Sequence, residues 1–331
     1  MEIKAADVAK LRQMTGAGMM DCKKALVEAE GDYERAKEII REKGKLVAAK
    51  RADRETSEGR VIAKVNGDKA IVVGLGCETD FVAKNEEFKA LAEAIADAAI
   101  ASFPADKDAL MACVLADGRT VEAAVTEQTG KTGEKHQIAG YEVVEAPYIV
   151  AYMHNVTGKL AAVVGFNKEF DAQVAKGVAM QVASMNPVAV SADSVPQSVI
   201  DSELKTATEK TKEELVQKAV DAALTKAGIN PAHVDSEAHI ESNQSKGWIT
   251  AEQAEQAREI IKNVSAEKAA NLPEQMVANI AKGRLQKFFK EQTLEEQGYQ
   301  MGDGKTSVKD VMKAADAEAK IVTFKRLSLA D

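Results

Sequence analysis

Two stretches of this chain follow one plan, and that repetition limits the fold more than any other feature. Residues 60–65 read as a strand, Asn66-Gly67-Asp68 as a tight turn, and residues 70–76 as a second, almost wholly apolar strand. Asn-Gly between two such runs is the strongest short hairpin signal. Residues 86–100 then carry the period of an amphipathic helix. The plan returns with a strand at 148–154, a turn at 155–158, a strand at 160–166 and a helix at 171–184. A chain that repeats hairpin-then-helix reads as two similar subdomains, in outline an old duplication. Its class is α+β.

Around this pair the organisation is helical. Residues 5–14, 21–30 and 33–44 read as three short helices, broken at Thr15-Gly16-Ala17-Gly18 and at Gly31, with Asp32 as the N-cap of the third. A module of that size holds only a small core, and such modules often serve as docking units. Residues 45–59 form a charged linker, partly helical, carrying Lys45, Lys50, Arg51 and Arg54. Residues 103–136 are mixed, with a helix near 120–128. Residues 197–227 read as one long helix, ended by Gly228-Ile229-Asn230-Pro231; Thr250-Ala251-Glu252-Gln253 fits a capping box that opens another. The apolar stripe is thin, so this antiparallel helical arm is expected to project. A helix at 274–290, a short one at 308–314 and a strand at 321–327 complete the chain, the strand returning to a core sheet. The expected organisation is therefore a three-helix domain at 1–44, a linker at 45–59, core subdomain N at 60–146, core subdomain C at 147–196 and 273–331, and an arm at 197–272.

Composition narrows the function. The 331 residues carry a net charge of −8, with 14 Lys and Arg against 12 Asp and Glu in residues 1–60 and 30 against 40 in the remainder. The negative balance argues against a general nucleic-acid binder, which needs clustered Lys and Arg, so no direct nucleic-acid contact is expected. Cys22, Cys77 and Cys113 are odd in number and far apart, which suits neither a disulfide framework nor a zinc ribbon. The start, Met1-Glu2-Ile3-Lys4, is charged and no signal peptide or membrane-spanning run is visible. A reducing, cytoplasmic setting without membrane contact is expected. Gly130-Lys131-Thr132 and Gly304-Lys305-Thr306 resemble the end of a phosphate-binding loop, but the required earlier glycine is Val125 in one and Tyr299 in the other. The four histidines show no ligand spacing. No covalent chemistry, metal or cofactor is expected.

One stretch stands apart: Cys77-Glu78-Thr79-Asp80-Phe81-Val82-Ala83-Lys84-Asn85, where the apolar strand hands over to the helix. Phe81 is one of 14 aromatic residues. By spacing it aligns with Phe88, Leu91, Ala92 and Ile95, which would make it the first core residue of that helix. The second repeat has Asn167-Lys168-Glu169-Phe170 at this place, so the architecture does not require the Asp80-Phe81 corner. That difference points to a further task for it.

With these residues laid out, the chain resembles the elongation factor Ts family, the guanine-nucleotide exchange factors of elongation factor Tu. The likeness rests on residues 11–26, from Leu11-Arg12-Gln13-Met14-Thr15-Gly16-Ala17-Gly18-Met19-Met20 to Leu26, on Glu78-Thr79-Asp80-Phe81-Val82-Ala83-Lys84-Asn85, and on Gly283-Arg284-Leu285-Gln286-Lys287-Phe288-Phe289. It covers residues 1–200 and 273–331. It implies a ubiquitin-associated-like N-terminal domain that docks on the partner through Arg12, Met19 and Met20. It also implies that Asp80, Phe81, Val82, Ala83 and Lys84 are pushed into the partner near its Mg2+ site. Elongation factor Tu is the implied partner, GDP-bound and nucleotide-free. Two departures are expected: an arm longer than usual over 205–272, and a C-terminal helical module missing after Asp331. From spacing alone Met19 and Met20 suit either an adaptable protein contact or the small core. A homodimer stays open, as do two other functions: a helical interaction scaffold using the N-terminal domain, and an RNA-associated factor using the basic linker.

Overall fold

The structure is a computed structural model that describes residues 3–330. Met1, Glu2 and Asp331, at the ends of the first and last expected segments, lie outside the described residues. Residues up to Val190, with those from Gln297 onward, form one compact unit; Ser191–Glu296 form a second.

The first unit begins with α1 (Ala5–Thr15), α2 (Met19–Glu28) and α3 (Tyr33–Lys50). Their shared core is Val8, Leu11, Cys22, Ala25, Leu26, Ala36 and Ile40. Asp32 caps α3 as expected, accepting from the Glu34 and Arg35 amides at 2.8 and 3.1 Å. Helix α3 does not stop at Gly44. It runs on to Lys50, and Gly44 is where it crosses a later helix. The chain then forms β1 (Glu58–Asn66), β2 (Lys69–Cys77), the one-turn α4 (Asp80–Ala83) and α5 (Glu86–Ser102). Next come α6 (Lys107–Ala112), α7 (Val121–Thr132), β3 (Gln137–Glu145), β4 (Tyr148–Met153), β5 (Leu160–Phe166) and α8 (Ala172–Met185).

The second unit holds α9 (Gln197–Lys226), α10 (Glu237–Ser245), α11 (Ala251–Ala270) and α12 (Glu274–Gln292). The Thr250 capping box forms, with Thr250 and Gln253 bonding reciprocally at 2.9 and 3.1 Å. Helix α9 packs against both α11 and α12. Helix α12, within the segment expected to belong to core subdomain C, is thus part of the helical unit, with Val277 and Ala281 buried. The unit is also better packed than its thin stripe suggested. Val220, Leu224, Ile229, Val234, Ile240, Ile249, Ala254 and Ala257 make a small core of their own, closed by the unexpected short α10. Trp248, just ahead of the Thr250 cap, is 62% exposed.

The chain returns to the first unit with α13 (Val308–Ala315) and β6 (Ile321–Ser328), the expected closing strand. Two three-stranded antiparallel sheets result, in the orders β1-β2-β3 and β4-β5-β6. Each hairpin has gained a third strand, and each second hairpin strand is central. Periodicity assigns no strand to residues 137–145, because Gly140 and the Val143-Val144 pair break the alternation.

Strand β2 shows why its sequence is apolar throughout. Side chains alternate faces along a strand. Ile71, Val73, Leu75 and Cys77 meet Phe88, Leu91 and Ile95 of α5. Ala70 and Val72 face the other sheet, where Ile149, Ala161 and Val163 wait. The sheets meet closely because glycines leave room: a Cβ on Gly140 would lie 2.4 Å from Leu327 Cδ1, and one on Gly74 3.1 Å from Leu327 Cδ2.

A similar economy joins α3 to α7. A Cβ on Gly44 would lie 2.9 Å from the Thr126 carbonyl oxygen, and one on Gly130 3.1 Å from the Gly44 Cα. Backbone cannot retreat as a side chain can, so added bulk must push the helices apart. Gly44→Val should therefore lower unfolding stability by about 1–3 kcal/mol, the usual cost of overpacking. A urea titration that finds the variant as stable as the parent would show that the two helices are not so close.

Candidate partner-binding site

Strand β2 ends at Cys77, whose buried thiol donates to the Thr79 carbonyl at 3.3 Å. Burial, with the neighbouring carboxylates of Glu134 and Glu58, pushes that thiol up to about 12. It is inert at neutral pH and serves packing.

The next two residues are clamped. Glu78 receives both hydrogen bonds of the Arg51 Nη1 group, at 2.8 and 2.7 Å, and the Lys135 amide at 2.6 Å. Thr79 is held by Glu134, its hydroxyl donating at 2.7 Å and its amide at 3.1 Å. The Thr79 hydroxyl also accepts the Val82 amide at 3.4 Å, which caps α4. The loop supplying Glu134 and Lys135 is itself fixed: the His136 Nδ1 meets the Glu134 carbonyl at 2.9 Å. Burial lowers the His136 pKa, so this ring stays neutral and donates from Nδ1.

On this mount the one-turn α4 places its residues distinctly. Val82 and Ala83 are half-buried against the core under α5. Asp80 and Lys84, both outward, pair at 2.6 Å. Lys84 lowers the Asp80 pKa, chiefly through that hydrogen bond, so the carboxylate is charged at neutral pH. Phe81 is 83% exposed. This corrects the placement that spacing suggested: Phe88, Leu91, Ala92 and Ile95 are buried, but Phe81 is not their neighbour in the core. In the second repeat the corresponding aromatic does fold back. Phe170 lies edge-on to Phe166 at 5.0 Å and to Tyr148 at 6.3 Å, and Asp171 starts α8 at once.

Of the residues expected to dock, Arg12 is in the last turn of α1 and Met19 and Met20 are in the first turn of α2. Arg12 is exposed beside the buried Leu11. Helix α1 ends at Gly16 with φ 68°, and α2 starts at Met19, two residues earlier than periodicity suggests. Met19 and Met20 are therefore on its first turn, 45% and 63% exposed, and outside the three-helix core. Met14, which sequence reasoning passed over, is exposed as well. The sequence also gave no sign of the Glu78–Arg51 and Thr79–Glu134 clamps; an adjacent Glu134-Lys135 pair in a charged loop is the only trace they leave. A cleft of about 440 Å3 in the helical unit, lined by Leu204, Leu272 and Val277 among others, contains none of the singled-out residues.

A bulky apolar side chain offered to water on a clamped corner, with exposed methionines elsewhere on the same unit, is the surface chemistry of a protein that binds another protein. The comparisons give the family. The family profile described as Elongation factor TS matches residues 78–230 and 216–331. "Elongation factor Ts" of Parabacteroides distasonis is 55% identical over 329 residues, covering 99% of each chain. "Elongation factor Ts" of Bacteroides fragilis is 56% identical over the same length and coverage, and that of Porphyromonas gingivalis 38%. The chain belongs to the elongation factor Ts family, the nucleotide-exchange factors of elongation factor Tu in translation elongation. The likeness runs through residues 201–272, which the sequence resemblance left out.

Two outcomes follow from the geometry. Phe81→Ala should leave unfolding stability within about 0.5 kcal/mol of the parent, as expected of an exposed site, whereas Phe88→Ala should cost about 3–5 kcal/mol; paired urea titrations read both. Glu78 gives a pH signature. Burial pushes its carboxyl up, but the Lys135 amide and Arg51 outweigh burial and hold it below the ordinary 4.5. The stabilisation it supplies is whole above that value and is lost as pH falls through the lower native pKa. Glu78→Gln should accordingly flatten the fall in stability between about pH 5 and pH 3, measured as urea midpoints against pH.

Proposed function

We propose that this protein binds elongation factor Tu carrying GDP and speeds release of the nucleotide by driving Phe81 into the loops beside the partner's Mg2+. The single observation that carries this reading is the exposure of Phe81 on a corner that is otherwise tied down. A GTPase holds its nucleotide through backbone amides, a lysine and a bridging metal. Geometry of that kind tolerates displacements of only about an ångström. Burying a phenylalanine on the partner gains about 1.5–3 kcal/mol, which favours the displaced arrangement. Val82 and Ala83 seat the turn on the core beneath α5. Asp80, held charged by Lys84, competes for groups ordered around the metal.

Docking is a separate contact. Arg12, Met19 and Met20 seat the three-helix domain on the partner's nucleotide-binding domain; unbranched thioethers adapt to a surface they must grip in more than one state. The factor binds nucleotide-free partner more tightly than the GDP form, and by reciprocity it weakens GDP binding by the same factor. Coupling of about 4 kcal/mol would weaken it roughly a thousandfold. No covalent bond changes, and the place of work is the cytoplasm. Among the described residues no helix is long and apolar enough to cross a membrane. The RNA-associated alternative loses ground because Arg51, part of the basic linker, is already engaged by Glu78.

Release of labelled GDP from purified elongation factor Tu tests the reading. Phe81→Ala should lower the maximal rate by at least about tenfold, and Met19→Ala with Met20→Ala should mainly raise the concentration needed for half-maximal effect. Release at the intrinsic rate with the unmodified protein would refute it.

A further inference from the structure

Helix α3 belongs to two parts of the first unit at once. Its first half closes the three-helix core through Ala36 and Ile40. Its second half crosses α7 at the Gly44–Gly130 contact. At its C-cap stands Arg51, which places one guanidinium nitrogen 2.8 and 2.7 Å from the two carboxylate oxygens of Glu78. Glu78 adjoins Thr79, the cap of the Phe81 turn. Just past the helix, the carbonyls of Ala52 and Arg54 accept from the Lys135 ammonium at 2.6 and 2.9 Å. The same loop grips Glu78 through the Lys135 amide and Thr79 through Glu134. One continuous helix thus runs from the module bearing Met19 and Met20 to the mount of Phe81.

The geometry points to Arg51 as a positioning residue for nucleotide exchange: α3 is a strut, and Arg51 fastens its end to the Phe81 corner, so that seating of the docking surface sets the direction from which Phe81 presses. This rests on the exchange reading above. The tie is charge-assisted: a single guanidinium nitrogen donates to both carboxylate oxygens, and both bonds are short. Glu78 is the more enclosed partner, its side chain 15% exposed against 39% for Arg51, so loss of Arg51 leaves the carboxylate with the Lys135 amide as its remaining tie.

The test follows release of labelled GDP from elongation factor Tu against concentration of the full-length factor, giving a maximal rate and a half-saturating concentration. Arg51→Ala should leave the half-saturating concentration within about twofold, because Arg12, Met19 and Met20 are untouched, and lower the maximal rate by about tenfold. Arg51→Lys should recover part of that rate, and it keeps the test open if the alanine variant folds poorly. On a Phe81→Ala background, Arg51→Ala should cost nothing more, since it acts through the ring. An unchanged maximal rate in a folded Arg51→Ala protein overturns the strut. So does a loss confined to the half-saturating concentration, or one that multiplies with the loss from Phe81→Ala. Failure of the unmodified protein to speed release overturns the exchange reading, and the strut with it; an active parent with an unaffected variant overturns the strut alone.

Discussion

A phenylalanine ring in water is held there against its own chemistry. Folding Phe81 back onto the core would gain about 1.5–3 kcal/mol, and Phe170 shows that the same position in the second repeat does fold back. What keeps Phe81 out is polar. A helix of one turn has too few hydrogen bonds to hold itself. The turn borrows its rigidity from Glu134 on Thr79, and from Arg51 and Lys135 on Glu78. Val82 and Ala83 close the space beneath it. These contacts need α3, α7 and the loop before β3 in register, so the position of the corner depends on all three.

The sheets supply the fixed frame. Strand β2 is buried along nearly its whole length, with α5 on one face and the second sheet on the other. A strand so enclosed cannot slide without moving every side chain to the wrong face. Its C-terminal end is therefore a firm place from which to launch a turn. Leu327, reaching from β6 into the room left by Gly74 and Gly140, ties the second repeat to the same strand. The two repeats share strand order and differ in their strand-to-helix joints, so the structural difference is confined to the joint and the frame is alike.

Local pattern carried much of this. The two hairpins, the helices after them, the Asp32 cap and the Thr250 capping box were legible because each is encoded within a few residues. Strand β3 was not, since its alternation is broken and its pairing with β2 is distant in sequence. Gly44 misled for a different reason: glycine marks helix ends, but here it marks close approach to Gly130. Spacing placed Phe81 in the core; comparison of the repeats and the family resemblance argued otherwise. The clamps left almost no trace, because Thr79 and Glu134 stand 55 residues apart and neither flank announces the other. Long-range polar contacts between loops have no period to read.

If exchange proceeds as proposed, the division between a methionine surface and a clamped aromatic follows from what it requires. Work done on a partner's nucleotide pocket appears as distortion of whichever side is softer. A loose corner would bend and leave the pocket intact, however tightly the factor bound. Affinity and force therefore need different materials. Thioethers with several rotatable bonds supply contact that survives changes in the partner. Charge-assisted hydrogen bonds of 2.6–2.8 Å supply stiffness. In the proposed exchange, tight docking becomes pressure at the ring only when both belong to one rigid piece, and α3, continuous from Tyr33 to Lys50, is the element proposed to join them.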